Sequence, residues 1–280
     1  MTPTPDVREL SERELVEIWQ ESLEDVLTLV TPLNDDQWSA ATPCPGWSVG
    51  DIVAHLIDVE GVLARELRPD HEPDWETLDH VNNDFGRFTE VGVDYRRGKP
   101  KDSVVGELRD VAAKRRQQLD ETPPGTEVIG PLGNQTTMDR LLRVRILDIW
   151  MHEQDIRTAI GSDGGWDTRP AQVSLEQIRR ALPIVWSRNC RAPQGSAVRV
   201  TVTGPALTAE MAAIVDDDGR GRAVETVDTA AVHLSLSWPD LVALSAGRIR
   251  PEDAGLQGRI TIEGDMRLGE TLLAALAITP

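Results

Sequence analysis

The chain has 280 residues and a mass of 30.8 kDa, with 29 Lys+Arg against 47 Asp+Glu, so its formal charge is −18 and its pI about 4.7. A surface this acidic repels phosphate backbones, because nucleic-acid binding draws most of its affinity from cations that neutralise phosphates, and nucleic acid is excluded as a partner. At 40% hydrophobic and 27% charged residues the composition is that of a folded chain, long enough for one large domain or two of ordinary size.

At the start, Asp6, Arg8, Glu9, Glu12, Arg13 and Glu14 interrupt every apolar run, so no signal peptide is expected. The longest apolar stretch, Leu272 to Ile278, is far below the roughly 18 residues that cross a bilayer, and no membrane partner is expected. Cys44 and Cys190 stand far apart without a C-x-x-C pair, which offers neither a disulfide framework nor a zinc ribbon and fits a reducing cytoplasm.

From Val7 to about Gly161 the apolar residues recur at helical spacing, broken at Thr42-Pro43-Cys44-Pro45-Gly46, Gly98-Lys99-Pro100 and Thr122-Pro123-Pro124-Gly125. This predicts four main helices over 12–30, 49–67, 101–119 and 138–160, with a partly helical connector over 69–97. Helices of that length joined in sequence favour an antiparallel four-helix bundle. A linker-like Gly161-Ser162-Asp163-Gly164-Gly165 follows, then a helix over 171–189. Past Gly195 the period changes to 2, predicting strands at 198–202, 232–238 and 260–262, with a hairpin turn at Asp216 to Gly219 and helices over 239–246 and 267–278. The expected fold is therefore a bundle, residues 1–165, followed by a small α+β domain, residues 166–280.

The segment 138–160 is the most informative. Leu141, Arg145, Asp148, His152, Asp155 and Ala159 are spaced by 4, 3, 4, 3 and 4, which places them in one stripe of a helix. Apolar residues cover most other sides, so the helix is expected to be buried with this ionisable stripe toward the bundle interior. Uncompensated ions there cost several kcal/mol each. Asp148 and His152, four apart, have the spacing by which a helix offers two ligands to one metal. A third ligand should come from a neighbouring helix, and His55 is best placed: Ser48 and Asp51 form a capping box that starts its helix, and His55 flanks the face of Ile52, Leu56, Val59 and Leu63. Taken singly, His55 also suits a hydrogen-bonded core histidine, Asp148 with His152 a surface ion pair, and Arg145 with Asp148 an ordinary salt bridge. Among the remaining histidines, His71 reads as solvated, His233 alternates with apolar strand residues, and His80 is a candidate to line a cleft. Cys44, between two prolines, reads as a packing residue.

Two segments, Thr42-Pro43-Cys44-Pro45-Gly46-Trp47-Ser48 running on to His55-Leu56, and Arg145 to Arg157 with Asp148, His152 and Asp155 at its centre, resemble the mycothiol-dependent maleylpyruvate isomerase family. The stretch from Leu244-Ser245-Ala246-Gly247-Arg248 through Gly264-Asp265-Met266-Arg267 is similar to that family's second domain. The resemblance implies a DinB-like metal-binding four-helix bundle followed by a sterol-carrier-like α+β domain. It implies His55 and His152 as metal ligands, Asp148 at a position where the family often has glutamate, and Asp155 as an orienting or acid/base group. It further implies a divalent ion, with zinc first in line, and mycothiol as the thiol cosubstrate. Mycothiol belongs to actinobacteria, and the scarcity of lysine, only Lys99, Lys101 and Lys114 among 29 basic residues, suits a GC-rich source.

A zinc-like ion with two His and one carboxylate keeps an open position where a thiol binds as thiolate near neutral pH. Its addition to a cis-enone acid, bond rotation and elimination would isomerise cis to trans, and attack without elimination would be S-transfer to a small electrophile. Asp155, Arg145 and His80 are the candidate catalytic residues. Arg145 can orient Asp148, and Asp155 can fix the His152 tautomer. An anionic substrate calls for a cation, with Arg248, Arg250, Arg259 and Arg267 as candidates. The rival readings are a metal hydrolase of thiol conjugates or amides, and a non-catalytic protein whose α+β domain holds an apolar ligand.

Overall fold

The computed structural model describes residue 7 and residues 9–205, 207–253 and 258–279. Asp6 and Arg8, on which the expectation of no signal peptide partly rests, lie outside them, as do residues 254–257 of the C-terminal motif. Two compact units divide the chain at Met1–Ser174 and Leu175–Pro280. That division falls inside the helix after the glycine-rich segment, beyond the boundary expected at residue 165.

The first unit holds α1 (Glu12–Val30), α2 (Asp35–Trp38), α3 (Val49–Leu63), α4 (Asp84–Asp94), α5 (Lys101–Glu121) and α6 (Met138–Ile160). The long helices α1, α3, α5 and α6 make the expected bundle, α1 packing on α5 and α6, and α3 on α4, α5 and α6. Local chemistry sets their starts. Ser11 with Glu14, and Ser48 with Asp51, form reciprocal capping boxes, and the Thr137 side chain accepts from Arg140 N at the head of α6. Leu15, Leu23 and Val26 of α1, Ile52 and Leu56 of α3, Leu108 of α5, and Ile146, Ile149 and Ile156 of α6 meet in one buried core. Each such side chain contributes about 1.5–3 kcal/mol relative to exposure.

The helix expected to reach Leu67 stops at Leu63. Arg65 turns left-handed at φ 62° and Glu66 N donates to Gly61 O at 2.9 Å, which closes the last turn and leaves Leu67 fully in solvent. The connector holds a 3₁₀ turn at Trp75–Thr77 and then α4, which docks on α3. A ribbon of β1 (Glu127–Ile129) and β2 (Gln135–Thr137), unforeseen from the sequence, joins α5 to α6. Helix α6 is buried along most of its length, but Val144 is 47% exposed, so the helix is not covered all round.

Helix α7 (Arg169–Ile184) crosses the boundary between units, contains Pro183 and relaxes into a π turn at Val185–Asn189. The second unit then builds a five-stranded sheet in the order β5-β4-β3-β6-β7, from β3 (Ala197–Gly204), β4 (Leu207–Val215), β5 (Gly221–Val224), β6 (Val232–Ser237) and β7 (Thr261–Gly264). β3 and β6 run parallel, the other neighbours antiparallel. The hairpin turn expected at Asp216 to Gly219 joins β4 to β5, whose extents were not anticipated. Trp238, expected to end a strand, instead begins α8 (Trp238–Ser245), because Ser237 caps the helix by accepting from Asp240 N. α9 (Met266–Ala275) closes the unit. Val200, Met211 and Leu234 share one face by register, and with Ile178, Leu182 and Leu241 of the helices they form an apolar layer. On the opposite face, register aligns Arg199 with His233 and Glu263, and Thr201 with Ser235. No helix of the described residues is long and apolar enough to cross a membrane.

Candidate metal centre

On α3, Asp51, His55 and Asp58 are spaced by 4 and 3 and so share a stripe. The two aspartates hold the connector: Asp51 Oδ1 accepts from Arg97 Nε at 3.0 Å, and Asp58 Oδ2 accepts from Arg68 Nη2 at 2.6 Å. His55 lies between them, 2% exposed, with Nε2 3.3 Å from Asp148 Oδ2 on α6. One turn along α6, His152 Nε2 is 3.9 Å from Asp148 Oδ1. The ligand atoms of His55, Asp148 and His152 all lie within 4.8 Å of one another, and among the described residues these three form the cluster able to hold a metal ion. The sequence stripe and the candidate on α3 therefore converge.

The donor set fits a divalent ion. Two imidazoles and one carboxylate make a three-ligand set of the kind that leaves a fourth position open, and ligands about 2.0–2.2 Å from a tetrahedral ion stand about 3.3–3.6 Å apart. The protonation states suit it too. Burial pushes the His55 imidazolium pKa down against the pull of Asp148, which favours the neutral, ligating form. Burial would raise Asp148, but Arg145, His55 and His152 together hold its carboxyl well below the usual range. Its side chain keeps 29% exposure, so the cluster is open on the Asp148 side.

Each neighbour has a distinct task. Arg145 Nη1 donates to Asp148 Oδ2 at 2.7 Å, and its Nε donates to Glu60 Oε1 at 2.9 Å. Glu60 is fully buried, accepts from Trp19 Nε1 at 3.2 Å and has Arg115 Nε 3.8 Å away. Asp155 Oδ2 lies 3.1 Å from His152 Nδ1, which places the imidazole proton on Nδ1 and aims the Nε2 lone pair at the cluster. Trp47 borders both rings, its centroid 5.1 Å from that of His55 and 5.9 Å from that of His152.

His80 is not a member of the cluster. Its Nε2 is 3.1 Å from Glu90 Oε2, the same oxygen that accepts from Trp47 Nε1 at 2.9 Å. Sequence reasoning missed Glu60, Glu90 and Trp47. His71, expected in solvent, pairs instead with Asp94 at 2.7 Å. His233 sits in a polar row, Nε2 2.8 Å from Thr201 Oγ1 and Nδ1 3.4 Å from Glu263 Oε2, a cross-strand set on the outer sheet face. Cys44 packs against the bundle core. The four candidate arginines all belong to the second unit: Arg259 pairs with Asp240, Arg250 with Glu252 and Asp253, Arg248 donates to Ala246 O, and Arg267 is exposed.

Residues 19–157 match the family model of the mycothiol maleylpyruvate isomerase N-terminal domain, and residues 175–277 that of the SCP-2 sterol transfer family. A solved mycothiol-dependent maleylpyruvate isomerase superposes with a TM-score of 0.58 at 14% identity, covering 93% of this chain and 96% of that one. A mutant of a mycothiol-dependent maleylpyruvate isomerase gives 0.57 at 13%, with the same coverage. At such identity this likeness speaks for the fold alone. An uncharacterized protein of Mycobacterium tuberculosis (strain H37Rv) is 22% identical over 157 residues, or 55% of this chain, and the match spans 58% of that relative's length. Its counterpart in strain CDC 1551 matches to the same extent. With both domain models matched in order, the chain belongs to the mycothiol-dependent maleylpyruvate isomerase family and carries a sterol-carrier-type second domain.

Proposed function

We propose that this protein binds a divalent ion, zinc first among candidates, through His55, Asp148 and His152, and uses it to activate a low-molecular-weight thiol, mycothiol, for cis-trans isomerisation of, or S-transfer to, a small electrophile. The observation that carries this reading is the convergence of three ligand atoms from two helices within 4.8 Å, with His152 already oriented by Asp155. Bound there, the ion would supply a lowered thiol pKa and a seat for the thiolate.

The chain's own groups do the rest. Asp148 stays ionised through Arg145, so the site offers a charged ligand across the neutral pH range. Neutral His55 and Nδ1-protonated His152 present lone pairs rather than protons. Asp155, one step behind His152, stabilises positive charge drawn onto that imidazole. Trp47 covers one side of both rings and keeps water from them there.

The test is metal analysis of purified wild type beside His152→Ala, followed by calorimetry with mycothiol. The expected result is about one metal per chain in wild type, near none in the variant, and thiol binding by the metal form alone. A wild-type protein that takes up no metal on titration would remove the proposal in favour of a ligand-binding role. Catalysis on a thiol conjugate undiminished by leaving out free thiol would replace it with hydrolysis.

A further inference from the structure

The two imidazoles of the cluster are held by different means. His152 has a carboxylate on its rear nitrogen, Asp155 at 3.1 Å. His55 has none: its Nδ1 is buried without a hydrogen-bond partner. A ligand imidazole ordinarily takes its orientation from a hydrogen bond at the second nitrogen, so His55 needs another device.

Trp47 is the nearest ring besides His152, tilted by 39° with its centroid 5.1 Å away. The indole does not rest there by packing alone. Its Nε1 donates at 2.9 Å to Glu90 Oε2, and Glu90 is 1% exposed at 43 positions' separation in the chain. Arg97 Nη1 pairs ionically with the other carboxylate oxygen at 2.6 Å, and Arg97 is anchored in turn to Asp51 on α3. His80 adds a second bond to Oε2, and its ring lies against Gly46, where a Cβ would come within 2.4 Å of it. Gly46 also has φ +77°, so the turn that delivers Trp47 requires glycine twice over. Every polar contact around Glu90 thus converges on keeping one indole in place.

Resting on the metal-site reading, we propose that the Glu90–Trp47 hydrogen bond is the positioning device of the His55 imidazole, in the role that Asp155 plays for His152. Glu90 and Trp47 are positioning residues in this assignment, and His80 acts through Glu90. The connector thereby sets the geometry of a ligand on α3 although it supplies no ligand itself.

The test measures metal affinity by chelator competition, and the visible spectrum of the Co²⁺-loaded protein, for Trp47→Phe, Glu90→Met and the double variant. Trp47→Phe removes the indole N–H donor and Glu90→Met the carboxylate acceptor, so either substitution alone removes the hydrogen bond. Each is expected to weaken the metal about tenfold and alter the cobalt spectrum, the double variant no more than either single, with circular dichroism unchanged. Trp47→Phe combined with Asp155→Asn should instead show the product of the two separate losses, because they act on different histidines. Unchanged affinity in either single, or losses that multiply between positions 47 and 90, overturns the assignment. Should Glu90→Met not fold, the Trp47→Phe result decides alone. Wild type that binds metal beside indifferent variants defeats only this inference, whereas wild type that binds none defeats the metal reading with it.

Discussion

Asp155 sits one turn beyond His152 on α6, and its Oδ2 approaches the imidazole Nδ1 to 3.1 Å. This pair settles which nitrogen faces the cluster, because a proton shared with the carboxylate leaves Nε2 as the lone-pair donor. Asp155→Asn removes the charge and lets the amide present either an oxygen or an NH₂ group to the ring. Metal affinity is expected to fall about 10- to 100-fold, the usual loss when such an orienting group is removed. Chelator competition measures it, and thermal unfolding of the metal-free variant should stay near wild type. Equal affinity in variant and parent would show that His152 is positioned by packing alone.

Glu60 is the counterweight of the site. It is fully buried, and the guanidinium groups of Arg145 and Arg115 both face it at 2.9 and 3.8 Å. Breaking a buried ion pair from one side leaves charge with no compensation, at a cost of roughly 3–5 kcal/mol. Glu60→Leu should therefore lower the denaturant midpoint strongly, and Glu60→Gln, which retains an acceptor for Trp19 and Arg145, should lower it less. Urea unfolding distinguishes them. Two substitutions of equal and small effect would mean that Arg145 finds sufficient support in Asp148.

Elements with local signals were legible in the sequence. α6 begins and ends where its periodicity does, since Thr137 caps one end and Gly161, in the left-handed conformation, stops the other. The 4-3-4-3-4 stripe brought Arg145, Asp148, His152 and Asp155 together without reference to any other segment, and His55 followed as the partner from the neighbouring capped helix. What stayed hidden depends on distant partners. Trp47 finds Glu90 across 43 positions and Glu60 finds Arg145 across 85, separations for which neither helix nor strand period gives a sign. The extent of β4 was hidden for a different reason: the hairpin turn after it has a local signal, but Leu207–Val215 is rich in alanine, and of its buried residues Met211, Ala212, Ala213 and Val215 the first three run consecutively rather than alternating. The ribbon of β1 and β2 is three residues a side, too short to show a period.

Glu153, next to His152 but with its carboxylate on Arg157 at 2.7 Å, has its pKa pushed up by burial to about 7 from the ordinary 4.5. The folded form thus binds the proton more tightly than the unfolded form. Stability associated with the protonated group is complete below about pH 4.5 and is lost as pH rises through about 7, a difference on the order of 3 kcal/mol. Glu153→Gln cannot undergo this loss. The metal-free variant is expected to gain on wild type as pH climbs from 5 to 8, where urea midpoints at several pH values compare the two. Parallel midpoint curves would show that Arg157 already compensates the carboxylate.

Gly92 and Gly86 lie on the same helix, α4, and should respond to alanine with opposite signs. A Cβ at Gly92 would fall 2.1 Å from Asp58 Cγ. Asp58 is buried and accepts from Arg68 Nη2 at 2.6 Å, so it has no room to yield without giving up that bond. Alanine gains about 1 kcal/mol in helix propensity, but overpacking a closed contact costs about 1–3 kcal/mol and displacing a buried carboxylate adds to it. The net effect of Gly92→Ala is destabilisation. At Gly86 the nearest atoms, Asn83 Oδ1 and Val81 Cγ1, are 3.5 and 3.6 Å from the added carbon, ordinary van der Waals contact. Gly86→Ala should stabilise by up to about 1 kcal/mol. Thermal melts of the two variants side by side check the pair. A Gly92→Ala protein as stable as wild type would mean that α4 can draw back from α3 at little cost.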